Sequence, residues 1–142
     1  MAHSERIIGL AQWLAPPAGR YLLAWEQHHL DLAVADLFGF HALQVGLPEL
    51  DALRANRMPH RWVGCESVEP PPSEGEPMPR AAVALNLDFD ALPFDSASLD
   101  LVVLPHTLEM ARDPHQTLRE VERVLVPEGR VVIVGFNPAS LW

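Results

Sequence analysis

Four short stretches carry the side chains best placed for chemistry: Gly46-Leu47, Cys65-Glu66, Asp88-Phe89 and Leu104-Pro105-His106. Each closes an apolar run. In an open parallel α/β sheet, ligands bind beyond the carboxyl ends of the strands, where strand order reverses. His106 is the most chemically versatile of these residues, because imidazole titrates near neutrality and can accept a proton. A buried histidine held by backbone groups fits the same position. Asp88 reads either as a ligand-facing carboxylate or as part of a polar turn that buries Leu92 and Phe94. Glu66 reads either as a hydrogen-bond acceptor at a strand end or as a solvated side chain.

Other chemistries find little support. Cys65 is the single cysteine, which excludes an intramolecular disulfide framework and a cysteine-based zinc site. His28-His29 fall on a helix, and His106-x-x-Glu109 lacks the second histidine of a zinc helix, so no metal site is expected. There is no Gly-x-Ser-x-Gly elbow, no Gly-x-x-x-x-Gly-Lys phosphate loop and no dinucleotide Gly-x-Gly-x-x-Gly.

The elements that must position these residues follow from apolar spacing and turn chemistry. Residues 5–14 form a short helix that Pro16-Pro17 breaks. Residues 19–38 form an amphipathic helix with Tyr21, Leu22, Trp25, His29, Leu32, Ala33, Asp36 and Leu37 as its inward stripe, ended by Gly39. Strands are expected at 41–47, 61–65, 81–87 and 99–104, with a brief helix at 48–56. The stretch 69–80 holds five prolines in twelve residues and reads as a mobile loop. Asp113-Pro114-His115-Gln116 marks a helix start, with Asp113 as cap and Gln116 reaching back to it. Leu118, Val121, Val124 and Leu125 form that helix's buried stripe, and Glu120 and Arg123 pair on its surface. Pro127 stops it, Gly129 turns the chain, and 130–136 is a fully buried strand. Strands alternating with helices or loops imply a parallel sheet with right-handed crossovers.

The 142 residues suit one domain with a real core, and 49% of them are hydrophobic. Ten arginines and no lysine leave a net charge of −9, which argues against autonomous nucleic-acid binding. No apolar run is long enough to span a bilayer, and a soluble cytoplasmic protein is expected.

From Leu92 to Phe136 the chain resembles the later half of a class I S-adenosylmethionine-dependent methyltransferase of the type 11 group. Asp88-Phe89-Asp90-Ala91-Leu92-Pro93-Phe94 is similar to that family's Asp-Ala-x-x-Leu-Pro-Phe signature. Leu118-x-Glu120-x-x-Arg123-Val124-Leu125-x-Pro127-x-Gly129 follows its Leu-x-Glu-x-x-Arg-x-Leu-x-Pro-Gly-Gly run, with Glu128 in place of one glycine. The resemblance implies an α/β, Rossmann-like parallel sheet of about five strands over 41–142, with cap helices in 1–40. It implies S-adenosylmethionine as cofactor and a small-molecule methyl acceptor. It assigns Gln44, Gly46, Glu66, Asp88, Phe89 and Leu104 to cofactor binding, with Glu66 on the ribose, Asp88 on the adenine amino group and Phe89 beside the ring. His106 falls where a base would face the acceptor. The family's Gly-x-Gly-x-Gly turn is altered here: Gly46 matches its first glycine, Pro48 and Leu50 replace the others, and Gln44 replaces the preceding acid. Pro48 loses a backbone donor, so the usual cradle cannot form unchanged. A non-catalytic interaction domain that keeps the fold is therefore the competing reading.

The family fold continues beyond its fifth strand. With the chain ending soon after, residues 131–136 should form an exposed edge, and pairing of two copies through it is expected.

Overall fold

The computed structural model describes residues 17–66 and 83–136, with side chains from Gly19 onward. The expected helix at 5–14 and the proline-rich stretch 69–80 lie outside these residues. The element order is α1 (Pro17–Val34), β1 (His41–Val45), β2 (His60–Cys65), β3 (Leu85–Asn86), β4 (Leu99–Pro105), α2 (Thr107–Met110), α3 (Pro114–Val124) and β5 (Leu125–Val134). The five strands pair in parallel in the order β3-β2-β1-β4-β5. The chain therefore winds outward from β1 to β3, returns to the other side of β1, and winds outward again. This is the Rossmann-like α/β architecture, with its switch point between β1 and β4.

The central strands are what their composition dictates. Leu101, Val102, Val103 and Leu104 of β4 and Ala42, Leu43 and Val45 of β1 are fully buried, as befits strands covered on both faces. Asp100 fixes where β1 begins: its Oδ2 accepts from the N–H groups of Phe40 and His41 at 2.9 and 3.1 Å. Gly39 serves that contact, since a Cβ there would lie 2.5 Å from Asp100 Cγ. Helix α1 has already ended at Val34, so Gly39 is a close-approach glycine and not the helix stop.

Several expected elements differ. Residues 48–56 form successive turns in place of a helix, and β3 is only two residues long. The buried face of α1 is Leu23, Glu26, Gln27, Leu30 and Val34, whereas Tyr21, Trp25 and Leu32 of the expected stripe are exposed. The reason is polar: Glu26 and Gln27 face inward because they have buried partners there, and apolar spacing cannot register them. On α3, Thr117 takes the inward position expected of Leu118, its hydroxyl donating to the Asp113 carbonyl at 3.1 Å. Asp113 does cap, accepting from Gln116 N–H at 3.2 Å, but the Gln116 amide donates to the Asp90 carbonyl and does not reach back.

Strand β5 is not fully buried. It is the outer strand of the described sheet, with Val131 and Ile133 exposed while Val132 and Val134 pack on the core. Its register against β4 shifts between the Leu99↔Leu125 and Leu101↔Arg130 pairs. The positive φ of this turn belongs to Glu128, at 72°, and not to Gly129.

Candidate functional site

The order reversal brings the ends of β1 and β4 side by side. Gly46 is the first residue past β1, with φ of 81°, and its N–H donates to the Gly64 carbonyl at 2.7 Å. His106 is the first residue past β4, with φ of 55°, and its N–H donates to the Val134 carbonyl at 2.8 Å. Thr107 ties the two together, its hydroxyl donating to the Val45 carbonyl at 2.5 Å.

The loop after β1 is built from the inside. The Gln44 side chain is fully buried, and its amide donates to the carbonyls of Gly46, Leu47 and Leu50 at 3.0, 3.0 and 2.8 Å. Its oxygen accepts from Ala52 N–H at 2.9 Å. An acidic residue could not donate to three carbonyls; an amide does both jobs. Leu50 points into the core with no exposure, so it is a packing residue and not a vacated glycine position. Leu47 adopts φ of 47°, a left-handed conformation that costs a branched side chain about 1 kcal/mol or more. At Gly46 a Cβ would lie 3.2 Å from Phe89 Cζ and 3.5 Å from Met110 Cε, so these two side chains pack against the loop.

His106 is buried to 1% exposure between two carboxylates. Nε2 lies 2.7 Å from Glu26 Oε1, and Nδ1 lies 2.8 Å from Glu109 Oε2. A ring that donates from both nitrogens is an imidazolium. Burial alone would push its pKa down, but the two carboxylates together outweigh burial and raise it above the ordinary histidine value. The Phe136 ring stacks on the imidazole at 4.5 Å, and Phe136 N–H donates to Glu109 Oε1 at 2.6 Å. One network thus joins α1, the switch point and the end of β5. Backbone partners, the bland expectation for His106, are replaced by charged ones.

At the outer strands, Asp88 is exposed and Glu66 half-buried. Asp88 Oδ1 accepts from Asp90 N–H at 2.8 Å, and the chain turns back as Ala91 N–H donates to the Asp88 carbonyl. The carboxylate and polar-turn readings of Asp88 therefore hold together: the turn presents the side chain while Leu92 is buried beneath it. Phe89 is buried under Gly46, and Leu104 has no exposure, so neither ring nor side chain lies at the surface.

The Glu120–Arg123 pair is more than a surface pair. Arg123 Nε lies 2.6 Å from Glu120 Oε2, while Arg123 also donates to the carbonyls of Leu92 and Phe94 at 2.9 Å each. Glu120 Oε1 accepts from Leu92 N–H at 3.0 Å. The hydrogen bond from Arg123 holds the Glu120 carboxyl below its ordinary pKa, against the opposing effect of burial. Together they bolt the loop after Asp88 onto α3. Glu26 and Gln27 escaped sequence reasoning altogether; a glutamate and a glutamine at adjacent helical positions give no signal of burial.

Among the described residues no group of three or more His, Cys, Asp or Glu side chains could hold a metal ion. No helix among them is long and apolar enough to cross a membrane.

Comparison with known proteins agrees with this geometry. Residues 71–133 match the family model of a methyltransferase domain. The chain is 30% identical over 128 residues to the uncharacterized protein YafS of Escherichia coli (strain K12), covering 90% of this chain and 49% of YafS. It is 41% identical over 54 residues to the malonyl-[acyl-carrier protein] O-methyltransferase of Halorhodospira halophila, covering 38% of this chain and 18% of that protein. It is 39% identical over 57 residues to the ubiquinone/menaquinone biosynthesis C-methyltransferase UbiE of Hahella chejuensis, covering 37% and 23%. The chain thus spans about half the length of YafS and under a quarter of the two methyltransferases. A chain from the complex between the Haloferax volcanii Trm112 methyltransferase activator and a methyltransferase superposes with a TM-score of 0.61 at 23% identity, covering 87% of this chain and 58% of that one. At that identity the likeness is one of fold.

Proposed function

Because the chain belongs to the class I S-adenosylmethionine-dependent methyltransferase family, we propose that it binds S-adenosylmethionine at the carboxyl edge of its sheet and passes the methyl group to a small-molecule acceptor. The observation that carries this reading is the strand order, which gathers Gly46, Glu66, Asp88 and His106 along one edge. The residues fit the cofactor's nucleoside end. Exposed Asp88 and half-buried Glu66 offer the acceptors that an adenine amino group and ribose hydroxyls require. Gly46 offers backbone without a Cβ at the switch point. When bound, the cofactor supplies an electrophilic methyl group on a sulfonium.

The protein's own residues then orient and hold. Gln44 sets the path of the loop after β1, and the Glu120–Arg123 pair sets the loop that carries Asp88. His106, as an imidazolium between two carboxylates, holds a proton in this arrangement and does not accept one. Methyl transfer depends first on alignment of acceptor, methyl carbon and sulfur, so the reaction needs no side-chain base unless the acceptor must lose a proton.

One observation favours a second reading, an interaction domain that has set cofactor binding aside: Phe89 and Met110 pack against Gly46, where the family's glycine turn lies open. Calorimetric titration with S-adenosylmethionine and S-adenosylhomocysteine separates the two. Micromolar binding that Asp88→Ala abolishes supports the methyltransferase; no binding up to millimolar ligand supports the interaction domain. The exposed Val131 and Ile133 on outer strand β5 support self-association through that edge, and a monomer at micromolar concentration in sizing experiments would count against it.

A further inference from the structure

The cluster at the switch point carries an electrostatic imbalance. Two carboxylates, Glu26 and Glu109, face one imidazolium, His106, which leaves one net negative charge. Glu26 is 95% buried, being 5% exposed, and its Oε2 has no hydrogen-bond partner. A buried carboxylate oxygen left unsatisfied is costly, and natural structures seldom leave one without a reason. The arginines that form ion pairs are committed elsewhere: Arg54 to Asp31, Arg112 to Asp90 and Arg123 to Glu120. The Phe136 ring lies on the imidazole at 4.5 Å and is itself 38% exposed, an aromatic face beside the cluster. Carboxylate and aromatic face together suit an organic cation and repel an anion.

We propose that Glu26, with His106 and Glu109 behind it, forms a binding subsite for the positively charged group of an organic cation, a sulfonium or an ammonium, at the junction of β1 and β4. The proposal deepens the methyltransferase reading, in which the methyl donor is a sulfonium, and it adds helix α1 to the site. Glu26 Oε2 is the contacting atom. His106 and Glu109 are positioning residues that keep the other oxygen occupied and the carboxylate ionised. The cation belongs either to the methyl donor or to the acceptor.

Titrations of the whole chain and of Glu26→Gln with S-adenosylmethionine, S-adenosylhomocysteine and trimethylsulfonium decide between these, with the imidazole resonances of His106 followed by NMR. If the donor supplies the cation, the unaltered protein binds S-adenosylmethionine about tenfold or more tightly than the neutral thioether, and the ratio collapses towards one in Glu26→Gln. If the acceptor supplies it, the two nucleosides bind alike, while trimethylsulfonium shifts the His106 resonances in the unaltered protein and not in Glu26→Gln. Equal nucleoside binding with no response to trimethylsulfonium overturns the subsite and leaves the cofactor reading standing. Failure of both nucleosides to bind overturns the cofactor reading, and the trimethylsulfonium response then decides the subsite alone. Should Glu26→Gln not fold, Glu26→Asp keeps the charge and withdraws it by one methylene; an unchanged affinity ratio and an unchanged trimethylsulfonium response in that variant overturn the subsite.

Discussion

Helices α1 and α3 solve the same packing problem in opposite ways. Helix α3 turns Val121 and Val124 inward and keeps most of its charges on the outside, with Asp113 capping its first turn. Helix α1 turns Glu26 and Gln27 inward and leaves Tyr21, Trp25 and Leu32 exposed. The first helix is organised by apolar burial, the second by buried polar partners. Gln27 makes the point: its amide donates to the Asp51 carbonyl at 2.8 Å and its oxygen accepts from Asp51 N–H at 2.9 Å, stitching α1 to the turns after β1. Where polar groups are buried and satisfied, they specify a docking geometry that apolar residues alone would leave loose.

The sharpest way to break this comparison is within α1 itself. Leu30→Ala should destabilise by about 2–5 kcal/mol, whereas Leu32→Ser, two residues on, should change stability by under about 0.5 kcal/mol. Urea denaturation of the two variants measures both, and equal losses would reverse the assignment of the buried face. Of similar size is Gln44→Ala, which strands three carbonyls and one N–H and should cost on the order of 4 kcal/mol by the same measurement. A leucine-like tolerance at position 44 would mean the loop after β1 holds itself.

The next effect is one of pH. His106 has a folded-state pKa raised above 6.5, so the network's stabilisation is complete below that value and is lost as pH rises through the folded value. Denaturation midpoints between about pH 5.5 and 8.5 should fall with rising pH in the unaltered protein, and the slope should flatten in Glu26→Gln. A pH-independent midpoint would show that the carboxylates do not hold the ring charged. The smallest effect belongs to Glu128, whose φ of 72° suits glycine. Glu128→Gly should gain about 0.5–1 kcal/mol, seen as a small rise in melting temperature.

Much of the fold was legible because its strands advertise themselves. β1, β2 and β4 lie where continuous apolar runs end in Gly46, Cys65 and His106, and the start of α3 is marked by Asp113-Pro114. The resemblance over Leu92–Phe136 falls within the region of strongest structural definition, and Glu120 and Arg123 show why those letters recur: they fasten the loop that carries Asp88. The site was legible only in outline. Strand ends can be located from apolar runs, but a side chain's partners come from distant segments. Glu26 meets His106 across eighty residues of sequence. Gln44, read as a substitute for an acid, works through hydrogen bonds to its own loop. The two-residue β3 and the turns of 48–56 were obscured because short segments give periodicity too little length to act on.

The Asp100 carboxylate has a consequence for the order of events during synthesis. It sits 59 and 60 residues beyond the two N–H groups it accepts from, and β4 pairs with β1 across the same gap. At translation rates of roughly 5–20 residues per second, β1 waits roughly 3–12 seconds after emerging before its neighbour exists. During that interval Leu43 and Val45 have only β2 for company, and α1 has no His106 to meet. The apolar first half of this chain is thus the part most in need of a chaperone's attention, and slowing elongation before residue 100 should raise the aggregated fraction more than slowing it afterwards.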